Sequence, residues 1–160
     1  MPKYRRLTTE ELHNLESDFI DYLVVNTITR DDWVKIKDTN PDKAGKIIEL
    51  FSDVVFEKVM RQTHYLDHVS DSMITSFHYQ PSQAVMICAK ANNPEIIITE
   101  LFGNKKGNDN QTDKDLDIEI WTTTKIYTQQ RELEIYQMIT KGAVVSDGKL
   151  YKQLALSMVE

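Results

Sequence analysis

The hydrophobic period of this chain changes twice, and these changes constrain the fold more than any motif does. Apolar residues recur at helical spacing over residues 8–62, follow strand patterns over 63–124, and return to helical spacing over 128–159. This order predicts an α+β fold with an N-terminal three-helix segment, a small and mostly antiparallel sheet, and a C-terminal helical pair. With 160 residues, of which 41% are hydrophobic, we expect one domain over residues 1–160.

Three helix starts are marked in the N-terminal segment. Thr8 followed by Glu11 makes a capping box, Thr29 precedes two acids that suit a positive helix end, and Asn40-Pro41 places proline at a first helical position. The first helix is expected to carry one apolar face, formed by Leu12, Leu15, Phe19, Tyr22 and Leu23. The third is expected to carry the stripe Ala44, Ile47, Ile48, Phe51, Val54, Val55 and Val59. From these stripes we predict a core of Leu15, Phe19, Ile47, Phe51 and Val55.

The middle of the chain predicts strands. Residues 73–79 and 84–91 are β-patterned around a turn and indicate a hairpin whose second strand lies inside a sheet. Two further strands are predicted, at residues 95–101 and 116–121. Between them, the polar run of residues 103–113 has too little apolar surface to offset its ordering entropy, so we predict a mobile loop.

Charge and composition disfavour several classes of function. The net charge is -6 and no segment is strongly basic, which argues against binding to nucleic acid or to an anionic membrane. No run of apolar residues is long enough for a membrane span. The single cysteine, Cys88, lies in an apolar run and is expected to be a small core residue. We therefore expect a cytoplasmic protein.

One histidine pair has a spacing found in metal sites. His64 and His68 are four residues apart with Asp67 beside them, and this spacing would put both imidazoles on one side of a helix or a strand. The second hypothesis for function is therefore a metal-dependent hydrolase that uses His64, His68 and nearby acids. No glutamate lies between the histidines as in metalloproteases, and a tetrahedral site needs further ligands. We accordingly assign no catalytic residue, no metal and no cofactor.

The C-terminal part has a residue pattern similar to that of a DNA-binding motif. Residues 134–157 resemble the first two helices of a winged helix-turn-helix, with a glycine-stopped helix, a short turn and a capped second helix. The recognition helix of that motif should follow Ser157, but the sequence stops at Glu160. A nucleic-acid-associated protein with an incomplete motif is therefore the third hypothesis.

The last helix, predicted over residues 146–159, is apolar along more than one stripe. A helix of this kind needs more than one neighbour, and an exposed apolar strip usually marks an interface. The interface candidates are Leu150, Leu154, Leu156, Met158 and Val159. The first hypothesis for function is thus a non-enzymatic interaction or regulatory protein that binds a protein partner, or a second copy of itself, through this helix. The alternative is that the helix belongs wholly to the core.

Three segments together indicate a family. Their order of residue types is similar to that of known sequences. The segments are Lys3-Tyr4-Arg5-Arg6-Leu7-Thr8 with Glu10-Glu11-Leu12, the run of residues 50–59, and the run of residues 145–152. On these segments the chain resembles a family of small uncharacterised bacterial proteins, of the Bacteroidetes type, that form a domain of unknown function. The resemblance implies a bacterial cytoplasmic protein and assigns no catalytic residue.

Overall fold

The predicted α+β order is confirmed in a computed structural model, which describes residues 2–95, 97–99 and 117–159. The chain forms two units, Met1–Val59 and Met60–Glu160. The first is helical, and the second holds the sheet and the C-terminal helices. One domain over residues 1–160 stays a prediction, and the loop predicted over residues 103–113 lies outside the described residues.

The N-terminal segment contains four helices, not the three predicted. They are α1 (Thr9–Asn14), α2 (Glu16–Val25), α3 (Arg30–Thr39) and α4 (Pro41–Gln62). The expected first helix is interrupted at Leu15, whose backbone leaves helical values at φ -105° and ψ 21°. Asn14, just before the break, is a residue type of low helix propensity. Leu12 and Leu15 nevertheless pack against the same core, so the apolar period continues through the break.

The predicted caps are confirmed. Thr8 accepts the Glu11 amide while the Glu11 carboxylate accepts the Thr8 amide, and Thr29 and Asp32 repeat this exchange at α3. Arg5 donates to both carboxylate oxygens of Glu11, at 2.9 and 2.8 Å. The Arg5 hydrogen bond and the Thr8 amide lower the pKa of Glu11 to about 2.

The predicted core of the helical segment is confirmed. Phe19 and Phe51 are buried with Leu7 and Leu23, and Leu15, Ile47 and Val55 pack against them. The outer part of the predicted α4 stripe is wrong, because Val54 and Val59 are 53% and 43% exposed. The buried face of α4 instead includes Ser52, whose hydroxyl accepts the Leu7 amide at 3.0 Å and donates to the Ile48 carbonyl at 2.7 Å. A serine with both partners supplied can be buried at little cost.

The described part of the second unit contains a five-stranded antiparallel sheet in the order β4-β3-β2-β1-β5. Its strands are β1 (Tyr65–Val69), β2 (Met73–Tyr79), β3 (Gln83–Ala91), β4 (Ile118–Ile126) and β5 (Val144–Ser146). The predicted β2–β3 hairpin and the internal position of β3 are confirmed. The sequence did not predict β1 and β5, which are too short, at five and three residues, for a clear alternation.

The strand predicted over residues 95–101 is wrong in its described part. Asn93 accepts the Glu95 amide through its side chain, at 3.0 Å, and this Asx-type hydrogen bond turns the chain after Pro94. Ile98 and Thr99 are helical, and Ile98 is fully buried. One of the apolar residues that suggested a strand, Ile98, therefore belongs to the core.

The C-terminal helical pair consists of α5 (Arg131–Thr140) and α6 (Lys149–Ser157). Helix α6 packs against β1, β2 and β3. The buried core of this unit includes Ile74, Ile87, Ala89, Ala91, Ile98 and Leu154. Gly148, the residue before α6, has φ +86°, and a Cβ atom there would lie 2.7 Å from the Tyr65 ring, so both the backbone and the packing require glycine.

Candidate functional site

The structure separates the three candidate metal ligands. The His64 carbonyl accepts the Tyr79 amide at 2.8 Å, so the ladder of β1 extends back to His64. At about 3.3 Å of rise per residue, the Cα atoms of His64 and His68 lie roughly 13 Å apart, too far for two upright imidazoles to share one ion. Asp67 is adjacent to His68 in β1, so the two side chains project to opposite faces of the sheet. Within residues 2–95, 97–99 and 117–159, no group of three or more acidic, histidine or cysteine side chains could hold a metal ion.

Polar and aromatic side chains form a partly buried cluster on the face of the sheet that α6 covers. The Ser76 hydroxyl is fully buried and donates to Asp67 at 2.7 Å. His78 stacks on Tyr65 at 4.6 Å between ring centroids and meets Tyr151 edge-on at 5.3 Å. Burial is the main cause that lowers the pKa of His78, followed by His64 and Arg131. Ser76, Asp67 and His78 share a sheet face, but the serine hydroxyl is bonded to the carboxylate and not to the imidazole, which is not the arrangement of an activated nucleophile.

A second polar network joins α5 to the strands. The Arg131 guanidinium donates to the carbonyls of Met60, Thr63 and Tyr79. Glu134 is 3% exposed and accepts from Lys125 Nζ at 2.7 Å and from the Thr128 amide at 3.0 Å. Glu134 is paired with Lys125 and the Arg131 guanidinium is satisfied by three carbonyls, which offsets the cost of burying these charges.

Glu134 predicts a dependence of stability on pH. Burial acts to raise the pKa of this carboxyl, but the hydrogen bonds from Lys125 and Thr128 outweigh it and lower the pKa below its usual value. Because the folded pKa is depressed, Glu134 contributes stability above its unfolded pKa of about 4.3, and this contribution is lost as the pH falls through the folded value. Urea unfolding from pH 6 to pH 3 should show a steeper loss of stability in the natural protein than in Glu134→Gln. Equal slopes would contradict this assignment.

The helix predicted over residues 146–159 is shorter in the structure, so the candidates Met158 and Val159 follow the end of α6. The five interface candidates are divided between core and surface. Leu154 is fully buried and Leu150 packs against the same core, so these two are core residues and no longer interface candidates. Leu156, Met158 and Val159 are 69%, 41% and 84% exposed. The apolar residues of α6 are therefore divided, because the described part of this unit covers the face toward the sheet and leaves Leu156 exposed.

The short turn expected between the two helices of residues 134–157 is not what the structure shows. Between α5 and α6 the chain forms β5, which pairs with β1. Gly142, with φ +108°, follows the end of α5 and lets the chain reverse into this strand. The two helices are therefore joined by a strand rather than by a turn.

Helices α2 and α3 enclose an apolar groove that the sequence did not predict. Its cavity volume is about 330 Å³, and it is lined by Glu16, Phe19, Ile20, Leu23, Val24, Ile28, Arg30, Trp33, Val34 and Lys37. Phe19 and Leu23 form the buried floor, while Ile20, Val24 and Val34 are 51%, 64% and 46% exposed. The Trp33 ring is half-buried and meets the Phe19 ring edge-on at 5.1 Å.

Charged side chains stand around this groove. Arg30 begins α3, Lys37 lies in its last turn, and Glu16 begins α2. Lys37 Nζ lies 5.8 Å from the centre of the Trp33 ring, within the range of a cation–π contact. Two of the three charged lining residues are cations in a chain whose net charge is -6. The groove can therefore bury apolar side chains, and two cations lie at its rim.

The sequence contains the apolar stripes that line this groove, but their spacing alone does not show whether they are buried or exposed. On α3, Arg30, Trp33, Val34 and Lys37 follow the one-face spacing of an amphipathic helix, and Ile20 and Val24 extend the α2 stripe. The same spacing describes a stripe buried in the core. Only the structure shows that this stripe is partly exposed.

The described part of the chain defines a class: an α+β protein with an antiparallel sheet and an apolar groove on its helical unit. The chain belongs to the family of unknown function DUF6495, whose family model matches residues 1–159. The family resemblance seen in the sequence is thereby confirmed, while a bacterial origin stays a prediction. No curated protein and no solved structure matches the chain. Among the helices in the described residues, none is both long enough and apolar enough to cross a membrane.

Proposed function

We propose that this protein is a non-enzymatic interaction module of the cytoplasm that binds an apolar helical segment of a partner protein in the groove between α2 and α3. The observation that carries the proposal is the exposure of Ile20, Val24 and Val34 around the half-buried Trp33. Contiguous exposed apolar surface with a polar rim is typical of binding sites. Grooves of this kind receive amphipathic helices through apolar residues one turn apart.

The two cations in the lining, Arg30 and Lys37, are the basis for proposing an acidic occupant. A helix that presents an apolar stripe to Trp33 and Val34 would place its flanking residues near Arg30 at one end of α3 and Lys37 at the other. Carboxylates at those flanks would form rim ion pairs, which steer association and fix orientation more than they add affinity. The proposed partner segment is therefore apolar along one face and acidic at its ends.

The surface of α6 is a second contact area in this proposal. Leu156, Met158 and Val159 are exposed, and they retain the role proposed from the sequence, contact with a protein partner or a second copy. Because Leu156 is exposed, Leu156→Asp should leave the melting temperature within error and reduce only association. A fall of several degrees in melting temperature without a change in association would show that the side chain belongs to the core.

A defined peptide tests the groove. The probe is a helical peptide with leucines at i, i+3, i+4 and i+7 and glutamates at both ends, added to full-length protein carrying Trp121→Phe so that Trp33 is the remaining tryptophan. We expect saturable binding, seen as a change in Trp33 fluorescence. Val24→Asp should weaken binding roughly tenfold or more, because it puts an unpaired charge in the apolar contact.

Val25 provides the matched control for this substitution. It follows Val24 on α2, is 81% exposed and does not line the groove, so Val25→Asp should leave peptide binding unchanged. A peptide with lysines in place of the glutamates should bind more weakly, and Arg30→Glu should reduce this preference. Absence of saturable binding, or equal effects of Val24→Asp and Val25→Asp, would refute the proposal.

A further inference from the structure

Strand β4 is a long and regular sheet edge. It pairs with β3 without interruption, from Gln83–Ile126 to Ala91–Ile118, and its nine residues include no proline or glycine. In the described part of the chain, β3 is its only strand neighbour. The opposite edge, β5, has three residues. Short strands, prolines, bulges and charged side chains are the usual protections of an exposed edge. Strand β4 has none of the first three, and its two charges, Glu119 and Lys125, are of opposite sign.

The hydrogen-bond pattern identifies which residues of β4 face outward. One step beyond the β3–β4 ladder, the Asn92 amide donates to the Asp117 carbonyl at 2.9 Å. Bonding to a neighbouring strand alternates along an antiparallel pair. The backbones of Glu119, Trp121, Thr123 and Lys125 therefore face β3. The outward set, whose amides and carbonyls point away from β3, is Ile118, Ile120, Thr122, Thr124 and Ile126.

We propose that β4 pairs antiparallel with β4 of a second copy of this chain, about a two-fold axis at Thr122. In this register the outward sets of the two copies meet as hydrogen-bonded pairs: Thr122 with Thr122, Ile120 with Thr124, and Ile118 with Ile126. All nine residues of the strand are paired. The result is one continuous antiparallel sheet across two copies. Because the contact is symmetric, both β4 edges are paired in a dimer and no further copy can add to them.

Charge complementarity selects this register. Glu119 of each copy lies opposite Lys125 of the other, in the non-hydrogen-bonded pairs where side chains come closest. Two opposite-charge pairs therefore form across the axis. Lys125 donates to Glu134 but keeps half of its side chain exposed, so its ammonium can reach a second carboxylate. Moving the axis by one residue in either direction separates Glu119 from Lys125 and shortens the paired stretch.

The pairing also covers apolar surface that a single chain exposes. Ile126 is 74% exposed and would pack against Ile118 of the second copy. Trp121 is 37% exposed and would lie opposite Thr123 of the second copy. Aromatic and β-branched side chains in opposite positions are among the favourable cross-strand pairs.

Sedimentation of the full-length protein over a range of concentrations tests the pairing. We expect a reversible dimer, and Glu119→Lys should weaken its dissociation constant roughly tenfold, because both cross-strand pairs become repulsive. Glu119 is exposed but lies opposite Lys90 on β3, so the dissociated variant should melt slightly below the natural chain, and Glu119→Gln, which creates no lysine pair, should weaken the dimer with less change in melting temperature. A natural chain that stays monomeric at all concentrations, or a dimer unaffected by Glu119→Lys, would overturn the proposal.

Single cysteine substitutions, made in addition to the buried Cys88, test the register directly. Thr122→Cys places a thiol on the axis, opposite its copy at about 5.5 Å between Cα atoms, and mild oxidation should give a covalent dimer. Thr124→Cys is the matched control, because Thr124 faces outward on the same strand but lies opposite Ile120 of the other copy. Equal cross-linking of the two variants would exclude this register. Val24→Asp should leave the dimer intact, and a dimer lost on Leu156→Asp but not on Glu119→Lys would assign self-association to α6 instead.

Discussion

Replacing Phe51 by alanine should lower the free energy of unfolding by about 3 to 5 kcal/mol. Phe51 is 2% exposed, and its ring centre lies 5.0 Å from that of Phe19 and 5.4 Å from that of Tyr22. The substitution removes the whole ring and leaves a cavity lined by other aromatic residues, which cannot collapse fully into it. Urea unfolding followed by Trp33 fluorescence, in the Trp121→Phe background, measures the loss.

Leu50 is the matched control for this prediction. It precedes Phe51 on α4 and is 59% exposed, so Leu50→Ala should change the free energy of unfolding by only about 0.5 kcal/mol or less. If the two alanine variants were equally stable, the face of α4 that packs on α2 would have to be assigned differently.

Replacing Leu154 by alanine should lower the free energy of unfolding by about 2 to 5 kcal/mol. Leu154 is fully buried among Ile74, Ile87 and Ile98, where α6 packs on the sheet. Leu156 lies two residues further along the same helix and is 69% exposed, so Leu156→Ala should be nearly neutral. Unfolding followed by Trp121 fluorescence, in a Trp33→Phe background, reports on this unit.

A small effect of Leu154→Ala would mean that α6 is not held against the sheet. A large effect of Leu156→Ala would mean that the helix is covered on both sides, as the alternative interpretation of its sequence proposed. The pair therefore separates the two interpretations of this helix without requiring knowledge of a partner.

The parts of the fold that could be predicted from the sequence are those that rest on local chemistry. Thr8 and Thr29 begin helices because their side chains accept amides that a helix end leaves free. The β2–β3 hairpin follows from β-branched and aromatic runs on either side of a short turn. Strand β5 could not be predicted in this way, because three residues are ordered by pairing with a distant strand.

The α2–α3 groove could not be predicted from the sequence for a related reason. The spacing of Trp33 and Val34 on α3 indicates an apolar stripe, but the degree of its burial depends on the packing of α2 beside it. For the histidine pair, the sequence suggested a site that the structure does not form. A spacing of four suggests neighbouring imidazoles on a helix, whereas the strand that His68 occupies spreads His64 and His68 apart.

Binding of a partner's helical segment in the α2–α3 groove is tested most directly by site-specific photo-crosslinking in the native cells, with the reactive amino acid placed at position 24 in one strain and at position 25 in another. We expect a discrete adduct from position 24, lost on Trp33→Ala and absent from position 25. Its cross-linked peptide should carry an apolar stripe with acidic flanks. The same adducts from both positions, or none from position 24, would show that the groove does not bind a partner.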